Sequence, residues 1–164
     1  MNRAERRAHE KAERRILTSP HWRKKLVTRL ADDKRAHYAA TLGDEQVVDL
    51  LTPAYSALDA IPKGQGVQEH IGCLWIVARM THELASVGYG GEDAIREARD
   101  AALALAEIQD RLGRLGRVGA RGPELLALRE MLATHDAQLE LRPTRREMVD
   151  CMERVRVLMG SMPS

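Results

Sequence analysis

Ile71-Gly72-Cys73-Leu74-Trp75-Ile76-Val77-Ala78 is the longest stretch of the chain that is both uncharged and almost wholly apolar. His70 closes it on one side and Arg79 on the other. Extended to Val67 and Val87, it reads as one helix whose middle is apolar on every side, and a helix of that kind must be wrapped by others. The expected architecture is therefore all-α, a compact multi-helix bundle around a central helix over residues 67–87. The apolar run is far shorter than the roughly 20 residues that span a bilayer, so no membrane partner is expected.

Composition supports the same fold class. Hydrophobic residues make up 44% of the chain and charged residues 30%, which suits a globular domain rather than a disordered one. Phe is absent, so core volume must come from Leu, Ile, Val, Ala and Met. Val, Ile and Thr never gather into the alternating runs that strands require, whereas the abundant Leu, Ala, Arg and Glu are strong helix formers.

Toward the N-terminus, Pro62 to Gly66 reads as a loop. Before it, Val47, Leu51, Ala54, Leu58 and Ile61 recur at helical spacing from Asp44 onward. Pro53 either kinks that helix or, with Thr52 as cap, starts a fresh one. A further helix over residues 20–41 has Pro20 in its first turn after Ser19, with Trp22, Leu26, Val27, Leu30 and Tyr38 expected inside and Gly43 as a left-handed stop. Residues 1–17 form a charged helical arm whose apolar line, Ala4, Ala8, Ala12 and Ile16, offers little area to bury.

Toward the C-terminus, Gly88-Tyr89-Gly90-Gly91 ends the central helix. Ile95, Ala98, Ala102, Leu105, Ile108 and Leu112 then mark the most regular amphipathic helix, over 92–112. Residues 111–122 read Arg-Leu-Gly-Arg-Leu-Gly-Arg-Val-Gly-Ala-Arg-Gly, part of which can continue that helix. A helix opening at Gly122-Pro123 carries Leu125, Leu128, Leu132, His135 and Leu139. The last begins with a capping box, Thr144 and Glu147, and buries Met148, Met152, Val155 and Met159 up to Gly160. The organisation expected is a basic arm over 1–17, a bundle domain over 20–160 and a flexible tail over 161–164.

Charge is distributed unevenly along this plan. Residues 1–35 hold twelve Lys/Arg against five Asp/Glu, and the remainder hold fourteen against nineteen. That asymmetry points to an anionic partner for the N-terminal part. Arginine offers a forked set of donors to phosphate or carboxylate, and glycine lets the backbone come close. The partner-binding candidates are thus Arg3, Arg6, Arg7, Lys11, Arg14 and Arg15 on the arm, and Arg111, Arg114, Arg117 and Arg121 in the Arg/Gly segment. The bland alternative makes the segment a soluble connector and the arm a solvated helix.

Chemistry finds little footing. No Gly-x-Ser-x-Gly, His-Glu-x-x-His or phosphate-loop pattern occurs, and no cofactor is implied. Glu69, His70, Cys73 and His82 are the only metal candidates, and they lack a second Cys/His pair. Cys73 and Cys151 read as buried thiols of a reducing compartment, and the charged opening residues are unlike a secretory leader, so a cytoplasmic location is expected. The reading is a non-enzymatic helical binding or regulatory protein, such as a small bacterial or phage-type regulator or inhibitor, docking on another protein or a nucleoprotein complex. Direct DNA or RNA binding through the basic third, with Arg23, Lys24, Lys25 and Arg29, is the alternative, and a metal-dependent helical-bundle enzyme is the second. Monomer and homodimer stay equally open.

Overall fold

A computed structural model describes residues 20–160, which form six helices. They are α1 (Pro20–Ala39), α2 (Asp44–Ala60), α3 (Gln68–Ser86), α4 (Gly91–Leu115), α5 (Gly122–Glu140) and α6 (Arg145–Gly160). The arm over 1–17, the Ser19 cap and the tail over 161–164 lie outside the described residues. The chain divides into two units, Met1–Ala40 and Thr41–Ser164.

In the second unit, α3 packs against α2, α4, α5 and α6. Its Ile71, Leu74, Val77, Ala78, Met80, Leu84 and Ala85 are buried, so the apolar run does lie at the hub. The enclosure is incomplete, however. Ile76 is 40% exposed and Trp75 only half-buried, with the Arg79 guanidinium 5.8 Å from the Trp75 ring centre. Four neighbouring helices cover most of α3 and leave one strip of it open.

α4 and α5 supply most of the remaining core through Ala94, Ala98, Ala101, Leu105 and Ile108, and through Leu128, Met131, Leu132 and Leu139. Small alanines on α4 let the backbones of α3 and α4 approach closely. The turn between these helices needs Gly90: its φ is +92°, and a Cβ there would meet the Ala94 Cβ at 2.9 Å.

Several boundaries differ from the sequence reading, each for a local reason. Gly43 has φ −83° and ψ 164°, so it is the extended N-cap of α2 rather than a left-handed stop. Its N–H donates to Gln46 Oε1 at 3.1 Å. α2 runs uninterrupted through Pro53, because that residue and its surroundings at Asp49 are exposed and the unmatched carbonyl can face water. α4 extends to Leu115, so the Arg/Gly segment contributes a last helical turn before its loop. On α6 the buried stripe is Met148, Cys151 and Val155. Met152 is 41% exposed because the stripe runs through Cys151, and one residue further turns about 100° away from it.

The capping box at the start of α6 forms as expected. Glu147 N–H donates to Thr144 Oγ at 3.2 Å, and Thr144 N–H donates to Glu147 Oε2 at 2.7 Å. The connection between the end of α5 and the start of α6 is tied to the start of α2 by Leu42 N–H donating to Pro143 O at 3.3 Å. Arg142 holds the left-handed conformation there, with φ 56°, while its guanidinium donates to Leu42 O at 3.1 Å and pairs with Asp44. Those bonds repay a backbone strain that a residue other than glycine rarely carries.

Candidate functional site

The first unit supplies the described part of the basic region. α1 begins at Pro20, where a fixed φ and a missing N–H suit a first turn, and it continues through helix-forming Lys, Arg, Leu and Ala to Ala39. Val27 and Leu30, expected inside, are 65% and 58% exposed. The exposed Lys24 and Lys34 share that side of the helix. Asp33 borders Leu30 three residues on, while Asp32 lies on the far side in an ion pair with Arg35 at 3.7 Å. Lys34 Nζ stands 5.8 Å from the Tyr38 ring centre. α1 therefore presents an apolar strip framed by cations, with both kinds of group facing solvent.

The sequence-derived contact residues fall into distinct places. Arg3, Arg6, Arg7, Lys11, Arg14 and Arg15 lie outside the described residues. Arg23, Lys24, Lys25 and Arg29 all belong to α1. The four arginines of the Arg/Gly segment do not act as one set. Arg114 pairs with Asp110 across one helical turn at 3.0 Å, and Arg117 and Arg121 are exposed.

Arg111 turns inward instead. Its Nη1 donates to Glu124 Oε2 at 3.0 Å, its Nη2 to Glu124 Oε1, and Nη1 also reaches Gly119 O. Glu124 accepts a further bond from the Arg121 N–H at 2.6 Å. The Arg111 guanidinium holds the Glu124 carboxyl below the usual carboxylate range against the opposing effect of burial. A forked pair of this kind joins the end of α4 to the start of α5 and closes the loop between them. Val118 in that loop is buried against Gly66, where an added Cβ would lie 2.7 Å from Val118 Cγ1. The Arg/Gly connection is thus anchored at Arg111 and Val118, which leaves Arg117 and Arg121 as its outward cations.

The metal candidates are spent separately. His70 Nδ1 accepts the Val67 N–H at 3.2 Å and so caps α3, while His82 Nδ1 sits 3.6 Å from Glu83 Oε1. Among the described residues no group of three or more His, Cys, Asp or Glu is placed to hold a metal ion. Both thiols are free, and burial pushes the thiols of Cys73 and Cys151 above the ordinary range, the reverse of an activated nucleophile.

One buried polar group escaped the sequence reading in part. His135 was expected inside, but its partners were not foreseen. Its Nδ1 lies 3.2 Å from Thr81 Oγ, and Thr81 donates its own hydrogen to Val77 O at 2.9 Å. The Nδ1 hydrogen of a neutral imidazole then points at Thr81 Oγ. Burial lowers the His135 pKa to about 4, outweighing the help that Gln138 and Asp136 give the charged form. Gln138 donates to Thr81 O at 3.0 Å and Tyr89 O at 2.8 Å, and the Tyr89 hydroxyl donates to Glu147 at 2.9 Å. These bonds link α3, α5, the Gly88–Gly91 turn and the cap of α6. Thr81, His135 and Gln138 are buried, and the bonds run out through the part-buried Tyr89 and Glu147, so the network ties these helices together.

Comparison with known protein families, curated proteins and solved structures returns no match for this chain. Among the described residues, no helix is long and apolar enough to cross a membrane.

Proposed function

We propose that this chain is a non-enzymatic binding protein of regulatory or inhibitory type, which docks on a protein or nucleoprotein partner through its cationic N-terminal unit. One observation carries the reading: the break in charge and the break in structure fall together. The unit Met1–Ala40 contains twelve Lys/Arg and five Asp/Glu, a balance of +7, and the unit Thr41–Ser164 a balance of −5. On the cationic side, Val27 and Leu30 are exposed beside Lys24 and Lys34. Burying such a pair against a partner adds an apolar centre to a charged rim, the usual anatomy of an interface. Arg117 and Arg121 offer a second, smaller cationic surface. The free thiols fit a reducing compartment such as the cytoplasm.

The test compares the full chain with a Val27→Glu/Leu30→Glu variant and with alanine at Arg3, Arg6, Arg7, Lys11, Arg14 and Arg15. A partner retained by the immobilised wild-type chain is expected to be lost from both. A partner held equally by all three overturns the reading. Labelled duplex and single-stranded nucleic acid serve as separate probes at low salt. A shift that fades with a slope of about 0.9 per phosphate contact on duplex DNA assigns the contact to nucleic acid directly.

A further inference from the structure

The second unit carries a helix face complementary to α1. On α2, Glu45, Val48, Asp49, Thr52, Ser56 and Asp59 recur at helical spacing, and all six are exposed. Three are acids, Asp59 already paired with Lys63 one turn on, and Val48, 60% exposed, lies between the other two. Thr52 spends its hydroxyl on Val48 O at 2.7 Å, so that position adds no competing donor to the strip. α1 presents the mirror arrangement: Lys24, Val27, Leu30, Ala31 and Lys34 share one side, exposed, with cations flanking the apolar pair.

We infer that α1 of one copy docks on the acidic α2 face of a second copy, pairing Val27 and Leu30 with Val48 and Lys24 and Lys34 with Glu45 and Asp49. The inference rests on the reading of residues 1–40 as a docking unit, and it names an occupant for α1. α1 has 20 residues and α2 has 17, so the contact is a helix pair of roughly 25–30 Å. A single pair of that length falls short of the roughly 800 Å² per partner that a stable complex buries. Reciprocal exchange, in which each copy gives α1 and receives α1, doubles the contact. Opposed charges on the two faces make that dimer sensitive to salt.

Sedimentation equilibrium of the full chain at tens of micromolar reads the outcome. The expected result is a dimer mass at about 50 mM salt that falls toward the monomer at about 1 M, where the screening length shrinks to about 3 Å. Lys24→Glu/Lys34→Glu gives a chain acidic on both faces, and Glu45→Lys/Asp49→Lys gives one basic on both. Each is expected to be monomeric alone. Mixed in equal amounts they are expected to re-form a dimer, because each then offers what the other lacks. All four positions are exposed, and circular dichroism checks that both variants keep their helix content. A monomeric wild-type chain at low salt, a dimer that survives either reversal, or a mixture that stays monomeric each overturns the inference. A monomer that still retains an outside partner through residues 1–40 overturns this inference alone and leaves the docking function standing.

Discussion

α1 and α3 are nearly equal in length, 20 and 19 residues, and each carries large apolar side chains at helical spacing. On α3 those side chains become the hub of a bundle; on α1 Val27 and Leu30 face solvent. Helix propensity does not separate the two, because both segments form helices. The difference lies in density and in what stands opposite. α3 offers Ile71, Leu74, Val77, Ala78, Met80, Leu84 and Ala85 to four neighbours. α1 has its apolar pair set among six Lys and Arg, which favour water or an anionic surface. One helix thus answers to the core of its own chain, and the other keeps its apolar pair exposed.

Substitutions in the core and at the α4–α5 joint measure how firmly the second unit is held. Leu74 is fully buried, so Leu74→Ala leaves a cavity and is expected to lower the unfolding free energy by about 4 kcal/mol in urea titration. A loss under about 1 kcal/mol would place Leu74 outside the rigid core. Glu124→Ala comes next. It strands Arg111, whose side chain is only 13% exposed, and is expected to cost about 3 kcal/mol. An effect no larger than that of the exposed Asp110–Arg114 pair would show that the α4–α5 joint is held by packing alone.

His135 makes the same point through pH. Its folded pKa of about 4 lies below the ordinary histidine value near 6.5, so the unfolded chain takes up the proton first. Stability from the buried neutral ring is complete above about pH 6.5 and is lost as pH falls toward about 4, at most about 3 kcal/mol. His135→Gln should remove that part of the slope between those pH values. An unaltered slope in the variant would assign the acid sensitivity to carboxylates. The smallest effect is expected on α1: at high salt, Leu30→Ala should change stability by less than about 0.5 kcal/mol.

Much of the bundle was legible because local chemistry encodes it. Caps, breakers and period mark the helices, and the Thr144–Glu147 box forms where its spacing placed it. Periodicity identifies an apolar side but not whether anything covers it, which is why Val27, Leu30, Ile76 and Met152 turned out more exposed than expected. The Arg/Gly segment was legible as cationic, yet not as a joint, since the Arg111–Glu124 fork spans 13 residues and depends on how two helices meet. Arg142 escaped for a similar reason: its bonds to Leu42 and Asp44 reach about a hundred residues back along the chain. The missed Gln138 looked like one more polar residue, because its partners are backbone carbonyls with no signature in sequence. The α1 strip was visible as charge, but its exposure was not.

Hydrogen exchange of the dilute full-length chain at high salt tests the central contrast most directly, since those conditions remove electrostatic docking. The amides of α3 from Leu74 to Leu84 are expected to exchange only through global unfolding, and those of α1 from Val27 to Tyr38 orders of magnitude faster. Protection of α1 equal to that of α3 under these conditions would contradict the account, because α1 would then belong to the same cooperative core.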